Sequence, residues 1–364
     1  MTSTELTTCT ISANRAALSR GSRQVQKTRV YSRRIKSYDK LPPADEGTTA
    51  SLPLVGRFMV TGATWEIATN AGEILSIMEN LSQRVENEFL APDLTLFLRV
   101  DFALTNRDSG FRPYFRALDH LYYANYGPGD SMLVDQRNRR VVGSMSAATA
   151  RDLNYWKRVI LPSMAGITSA CVGITPIHCA CVVKDRSGLL IYGQSGSGKS
   201  TLALSLSLNG FCYLSDDCTY VSASEKRLQC WGSSAPLKLI PDAAKYFPKL
   251  ADLDPGESLN GELAYEIDPT AVFGVAQTSD CEPRWIIFIE RSRQSKPTFH
   301  KISCAETADR LASDLEHLPP CISEQRDRQL AVIDLLAQCE NWVLRHSFPP
   351  EALAHAISQF CGNN

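Results

Sequence analysis

Gly193-Gln194-Ser195-Gly196-Ser197-Gly198-Lys199-Ser200-Thr201 places a low-bulk loop next to a cation and hydroxyls, in the pattern G-x-x-x-x-G-K-[ST]. Glycines at 193, 196 and 198 let a backbone curve closely around a charged ligand and offer its N–H groups to phosphate oxygens. Lys199 can reach the terminal phosphates of a nucleoside triphosphate such as ATP, and Ser200 can put its hydroxyl on Mg²⁺. Further along, Ser215-Asp216-Asp217 supplies adjacent carboxylates. One can hold Mg²⁺, directly or through water, while the other accepts the proton of an attacking hydroxyl; phosphoryl transfer asks for little beyond positioning, metal and base. A second reading makes one of them an acid beside the phosphates and the other the cap of a turn. His178 lies shortly before the loop. It is either a satisfied structural histidine or a group beside the phosphates. The remaining histidines show no triad or metal-ligand spacing.

These groups act together only if the elements carrying them meet. Gly188 to Tyr192 reads as a buried strand feeding the loop, and Lys199 to Leu208 as a helix whose N-terminal dipole faces the phosphates, stopped by Gly210. Ile177 to Val183 reads as a strand carrying His178, separated from the next by Lys184-Asp185-Arg186-Ser187, a gap suited to a hairpin turn. Because the loop then leaves one strand of a hairpin, a mixed sheet is expected. Phe211 to Leu214 reads as the following strand, which delivers Asp216 and Asp217 to the loop's edge if the helix returns the chain in register. Later strands are expected at Ala271 to Gly274 and Trp285 to Ile289, and the part from about Glu306 reads as mostly helical.

Upstream, Arg57 to Thr61 and Leu94 to Val100 read as strands around a helix from Ala71 to Leu81. Met132 to Val142 reads as a hairpin turning at Gln136 to Arg139, followed by a helix from Ala147 to Ile160. Its apolar face is Tyr155, Trp156, Val159 and Ile160, a stripe suited to packing between units. The chain therefore divides into an arm over 1–50, a small α/β domain over 51–164, a core over 165–300 and a helical segment over 301–364 packed on that core. The arm is expected to be disordered and is basic, with Arg15, Arg20, Arg23, Lys27, Arg29, Arg33, Arg34, Lys36 and Lys40 against Asp39. It reads as a solvated arm, a docking tail for an acidic partner or a transit-like segment. Ser22 and Ser32 among its arginines are candidate autophosphorylation sites.

At 364 residues, 44% of them hydrophobic, the chain can build more than one core. A net charge of −1 gives no bulk attraction to nucleic acid or anionic lipid. No apolar run approaches the roughly 18 residues of a membrane span, and the start lacks the apolar centre of a secretory signal. A soluble cytoplasmic protein with no nucleic-acid or membrane partner is expected. Its 12 cysteines form no C-x-x-C pair and are expected to be structural thiols.

The stretch from His178 through the glycine loop to Leu214-Ser215-Asp216-Asp217 resembles the catalytic domain of HPr kinase/phosphorylase and the wider HPr-kinase-like proteins, which include peptide-tailoring kinases. That family places a histidine before the loop, Gly-x-Ser-Gly-x-Gly-Lys-Ser in it, and paired aspartates after the next strand. The close match covers about 40 residues, with a looser likeness over about 165–300. It implies an α/β fold with a P-loop core like that of HPr kinase and PEP carboxykinase, and the 57–100 region resembles the extra N-terminal domain of HPr-kinase-like proteins. It implies ATP- and Mg²⁺-dependent serine phosphorylation, with Gly193 to Lys199 cradling phosphates and His178 beside the transferred group. Ser200 and Asp216 would serve Mg²⁺, and Asp217 or Asp216 would be the base.

The chain departs from the family after the aspartates. Where HPr kinase/phosphorylases carry a Glu/Arg/Gly-rich signature linked to the reverse reaction, it reads Ser233-Ser-Ala-Pro-Leu-Lys-Leu-Ile-Pro241. The resemblance therefore points to a peptide or small protein bearing the acceptor serine rather than to HPr. Lys238 faces either the substrate or solvent. Self-association into a homo-oligomer is compatible with the sequence. A catalytically weak ATP-binding regulator and a small-molecule kinase are the competing readings. No N-K-x-D motif of a GTPase and no L-S-G-G-Q signature of a transport ATPase follows the loop.

Overall fold

The computed structural model describes residues 52–86, 91–108, 110–224, 227–293, 296–315, 318, 322–347 and 349–363. The basic arm with Ser22 and Ser32, and Pro319-Pro320, lie outside the described residues. Strands β1 (Leu54–Val60) and β2 (Ala63–Thr69) form a hairpin through Thr61 and Gly62, both at positive φ. Helix α1 (Gly72–Leu81), β3 (Gln83–Arg84), β4 (Leu94–Asp101), β5 (Tyr114–Leu118), β6 (Leu121–Gly127), β7 (Asp130–Asp135) and β8 (Arg140–Ser146) follow. They build an eight-stranded mixed sheet in the order β3-β1-β2-β4-β8-β7-β6-β5. Period-two alternation separates its faces: Phe58, Trp65, Ile67, Leu96, Val141 and Val134 are buried in one core with residues of α1 and of the helices after β8.

The helix expected over 147–160 is broken and longer. Helix α2 (Ala147–Arg151) ends at Asp152, whose carboxylate accepts the Tyr155 N–H at 2.9 Å and starts α3 (Leu153–Tyr155). A side chain that can bond its own backbone offers an alternative to the helical ladder, which accounts for the interruption. A π-turn over Trp156–Ile160 then feeds α4 (Leu161–Ser169). Residue 165, the expected start of the core, lies inside this last helix.

A second mixed sheet carries the glycine loop, His178 and the paired aspartates. Its first members are β9 (Thr175–Ile177), β10 (Ala180–Lys184) and β11 (Ser187–Tyr192), followed by helix α5 (Lys199–Leu208), β12 (Cys212–Ser215), β13 (Thr219–Ser224) and β14 (Arg227–Trp231). Asp185 and Arg186 turn β10 into β11, both at positive φ, as a two-residue hairpin needs. His178 does not lie on a continuous strand. The chain breaks at His178-Cys179 because β9 pairs with β13 whereas β10 pairs with β12 and β11, and the Cys179 N–H closes a tight turn on the Ile177 carbonyl at 2.8 Å.

Next come β15 (Leu237–Leu239), β16 (Gly256–Glu257) and β17 (Leu263–Ile267), which form a small sheet in the order β15-β17-β16. Ala271 to Gly274 is not a strand. Asp268 caps the Thr270 and Ala271 amides at 3.0 and 3.1 Å, Pro269 opens the first turn and Gly274 closes at φ 72°, so these residues form helix α6 (Pro269–Phe273). The long β18 (Asp280–Arg291) lies beside β11 in parallel. After β19 (Thr298–Lys301) come α7 (Cys304–Ala312), α8 (Glu324–Leu336), β20 (Glu340–His346) and α9 (Pro350–Asn363). The C-terminal part is thus not all helical, since β20 enters the sheet parallel to β18. None of the described helices is long and apolar enough to cross a membrane.

Basic residues of the first half reach acidic residues of the small sheet and α6. Lys157 meets Asp268 at 2.9 Å, Arg158 meets Glu266 at 2.6 Å, and Arg112 contacts Glu257. One glycine governs close packing within the second sheet, just after β14. A Cβ on Gly232 would stand 2.5 Å from the Leu214 carbonyl oxygen, and the Gly232 N–H bonds the Ser279 carbonyl at 3.0 Å. Gly232→Ala is expected to cost about 1–3 kcal/mol, the usual overpacking range, because a backbone oxygen cannot swing aside. Urea denaturation of the two forms measures it.

Candidate active site

Strand order explains why distant residues meet. Strand β10 runs antiparallel to both β11 and β12, so the C-terminal ends of β11 and β12 and the start of β10 share one sheet edge. The glycine loop leaves β11 there, Asp216 and Asp217 leave β12 there, and His178 sits where β10 begins. Helix α5 makes the crossover that returns the chain. Ligands of α/β sheets gather outside such carboxyl ends.

The loop is built for close approach. Gly193 lies against β18, and a Cβ on it would stand 2.8 Å from Ile289 Cγ1 and 3.1 Å from the Ile289 carbonyl. Gly196 at φ 76° and Gly198 at φ 102° hold conformations that favour glycine, with open space where their Cβ atoms would be. Gln194, Ser195 and Gly196 are exposed, and the Ser197 N–H closes a turn on the Gln194 carbonyl at 3.0 Å. The Ser197 hydroxyl is buried without a partner among the described residues. Gly198 leads into α5 with no side-chain cap, so the amides of Lys199, Ser200 and Thr201 begin the helix without a capping oxygen.

Lys199 is buried, and its Nζ donates to the Gly193 carbonyl at 2.9 Å. Burial lowers its pKa, opposed by the negative field of Asp217 and, further down, Asp314 and Asp216. Asp216 is buried at 6% exposure. Its Oδ1 accepts from the Tyr213 hydroxyl and its Oδ2 from the Lys238 N–H, each at 3.0 Å. Burial and the neighbouring Asp217 push it up to about 6, against the Lys238 N–H and the hydroxyls of Tyr213 and Ser200. Asp217 is the opposite case. Its side chain is 80% exposed and pairs with His178 Nε2 at 3.0 Å, and that hydrogen bond chiefly holds its carboxyl below the usual range.

The backbone supports this edge through hydroxyls. Thr219 Oγ1 donates to the Cys179 carbonyl at 3.1 Å and lies 2.7 Å from Ser215 Oγ, tying the break beside His178 to the one at Asp216-Asp217. Lys238 turns its Nζ away to Asn260 and Glu262, both at 2.8 Å, so it serves the site through its backbone.

Other residues at this edge carry no signal in the sequence. The Tyr192 hydroxyl bonds Asp314, which follows α7, and Arg310 of α7 pairs with Glu290 at 3.1 Å at the end of β18. Nothing in the spacing of 310–314 from the loop marks them. The one local sign is Ser303, whose hydroxyl caps the Glu306 N–H at 3.1 Å in an S-x-x-E box that starts α7. Among the described residues no group of three or more His, Cys, Asp or Glu side chains is arranged to hold a metal.

No family model matches this chain, and no curated protein matches it. Among solved structures, it is similar to an HPr(Ser) kinase/phosphatase from Coxiella burnetii at 16% identity and a TM-score of 0.28, over 52% of this chain and 94% of that one. A likeness so distant says nothing about the reaction or substrate of this chain.

The raised pKa of Asp216 has a stability consequence. A carboxyl that titrates near 3.9 unfolded and at about 6 folded keeps its proton longer in the native state. Stability therefore falls as pH rises from about 4 through 6, by roughly 2–3 kcal/mol, and the penalty persists above. Asp216→Asn is expected to match the wild type near pH 4 and to exceed it above pH 7, read as melting temperature across pH without divalent cations.

Proposed function

We propose that the chain is an ATP- and Mg²⁺-dependent kinase that transfers the γ-phosphoryl group to a serine hydroxyl of a peptide or small protein. The observation carrying this reading is the meeting of the glycine loop, Lys199, Asp216 and the His178–Asp217 pair at one sheet edge. The loop suits a triphosphate. Gly196 and Gly198 leave room, the uncapped start of α5 and the unpartnered Ser197 hydroxyl provide donors, and Lys199 supplies positive charge.

Ser200 and Asp216 are hard oxygen donors and would hold Mg²⁺, an ion commonly bound through one or two carboxylates, phosphates and water. When bound, it would neutralise charge on the transferring phosphates. Asp217, exposed beside His178, would take the proton of the acceptor hydroxyl as its oxygen bonds to the γ-phosphorus and the bond to the β–γ bridging oxygen breaks, releasing ADP. His178 would orient the carboxylate, and Lys199 would move from the Gly193 carbonyl to the phosphates and stabilise the charge that develops there.

The openness of the acceptor side favours a macromolecular acceptor. Asp217 is 80% exposed and His178 51% exposed, as a base must be if it meets a hydroxyl on a chain too large for a closed pocket. The choice of serine rests on the motif resemblance.

The direct test incubates the full chain with γ-labelled ATP, Mg²⁺, peptides encoded by neighbouring genes, and free serine. Label is expected on a peptide serine, reduced about 10²-fold or more by Lys199→Ala and by Asp217→Asn, the latter with ATP binding kept. Nucleotide binding with no transfer to any acceptor would favour an ATP-binding regulator, and label on free serine alone a small-molecule kinase. Stabilisation by Mg²⁺ and ATP is expected to grow as pH rises through about 6 and to weaken in Asp216→Asn, as differential scanning fluorimetry would register.

A further inference from the structure

The eight-stranded sheet has helices on one face, and the opposite face carries a line of apolar side chains from strand to strand. Pairing registers align Val55, Ala68, Phe97, Val142, Leu133 and Tyr123 across β1, β2, β4, β8, β7 and β6. Val55 is 54% exposed, Val142 58%, Leu133 44% and Tyr123 37%. Five inter-strand gaps of about 4.8 Å make the line roughly 24 Å long. Contiguous exposed apolar surface of this kind marks an interaction site more often than a solvated face does.

The rows on either side are mostly polar; the first balances Arg57 and Arg140 against Glu66 and Asp135, and the second carries Arg99. One contains Arg57, Glu66, Thr95, Arg140 and Asp135, the other Arg99, Ser144, Ser131 and Asn125. Arg57 is tied to Glu66 at 2.7 Å, and Asp135 is turned to Asn138 at 2.8 Å. Arg99 and Arg140 are exposed with no ion pair among the described residues, and exposed Arg116 ends the apolar line opposite Tyr123, its guanidinium 5.5 Å from the Tyr114 ring.

We propose that this face docks an acidic segment of a partner peptide or protein, its apolar side chains on the Val55–Tyr123 line and its carboxylates on Arg99, Arg116 and Arg140. Charge selects that occupant. The chain's own arm is strongly basic between residues 15 and 40 and would be repelled. A lipid surface would have to desolvate the flanking Thr95, Ser144, Ser131 and Asn125. The inference is independent of phosphoryl transfer, because it concerns a surface outside the glycine-loop edge.

The test is fluorescence-anisotropy titration of the full chain, without nucleotide, using a labelled peptide of about 18 residues with a Leu/Val stripe flanked by glutamates. Its Lys-for-Glu counterpart is the control. Binding of the acidic peptide alone is expected, weakening with salt and falling about tenfold or more in Arg99→Glu/Arg140→Glu. Val142→Asp is expected to act likewise, with circular dichroism checking the fold; should it not fold, the arginine variant decides. The proposal is overturned if neither peptide binds, if both bind equally, or if the arginine variant binds the acidic peptide as the wild type does. Sedimentation as a dimer that Val142→Asp dissociates would overturn it in favour of a second copy. Retention on anionic vesicles or single-stranded RNA, with no acidic-peptide binding, would assign the face to those instead.

Discussion

A single antiparallel strand organises the candidate site. Strand β10 lies between β11 and β12 and opposes both, which forces their ends to one edge and brings its own start to the same place. Were β10 absent from between them, the glycine loop and the paired aspartates would still sit at strand ends, but His178 would have no reason to join them. The partner change from β13 to β12 also forces the break at His178-Cys179, which leaves the imidazole half-exposed instead of packed within a sheet. The hydroxyl chain through Ser215 and Thr219 to the Cys179 carbonyl then holds two irregular backbone segments in register where no ladder does.

Unequal burial gives two adjacent carboxylates different characters. Asp216 is enclosed by Tyr213, the Lys238 amide and Ser200, so its charge is expensive and its proton is retained longer. Asp217, one residue on, faces water and His178, so its charge is favoured. The division arises just past the end of β12, where Asp216 is buried and Asp217 is exposed. It suits the proposed pairing of a metal-side carboxylate with one that meets the acceptor. The ion pairs from Lys157, Arg158 and Arg112 reach the same region from the other half of the chain, through the small sheet that lends Asp216 its Lys238 amide.

Much of this edge was legible because its signals are local. Glycine spacing, the strand before it, the helix after it and the Asp216-Asp217 doublet each declare themselves within a few residues, and the turn at Asp185-Arg186 does too. What escaped depends on distant pairing. His178 reads as part of a strand because Ile177 and Cys179 to Val183 around it are apolar, and no local pattern reveals that the two halves pair with different strands. Strand β20 resembles a helical segment until β18 is there to flank it. Ala271 to Gly274 misled for the opposite reason: Asp268, Pro269 and Gly274 spell out a short helix, and its apolar residues hid that grammar. Asp314 and Arg310 reach the edge through tertiary packing alone.

The bond between Lys199 and the Gly193 carbonyl has a consequence for selectivity. The ammonium has an oxygen partner in the loop's first residue, so a triphosphate bound as proposed would compete with the protein's own backbone rather than fill an idle donor. An ion carrying one phosphate offers the lysine little more than it already has. A chain of phosphates long enough to engage the loop amides as well gains several bonds for the one it displaces. In the proposed kinase this contact would thus act as a threshold that sets aside small anions and admits extended ones.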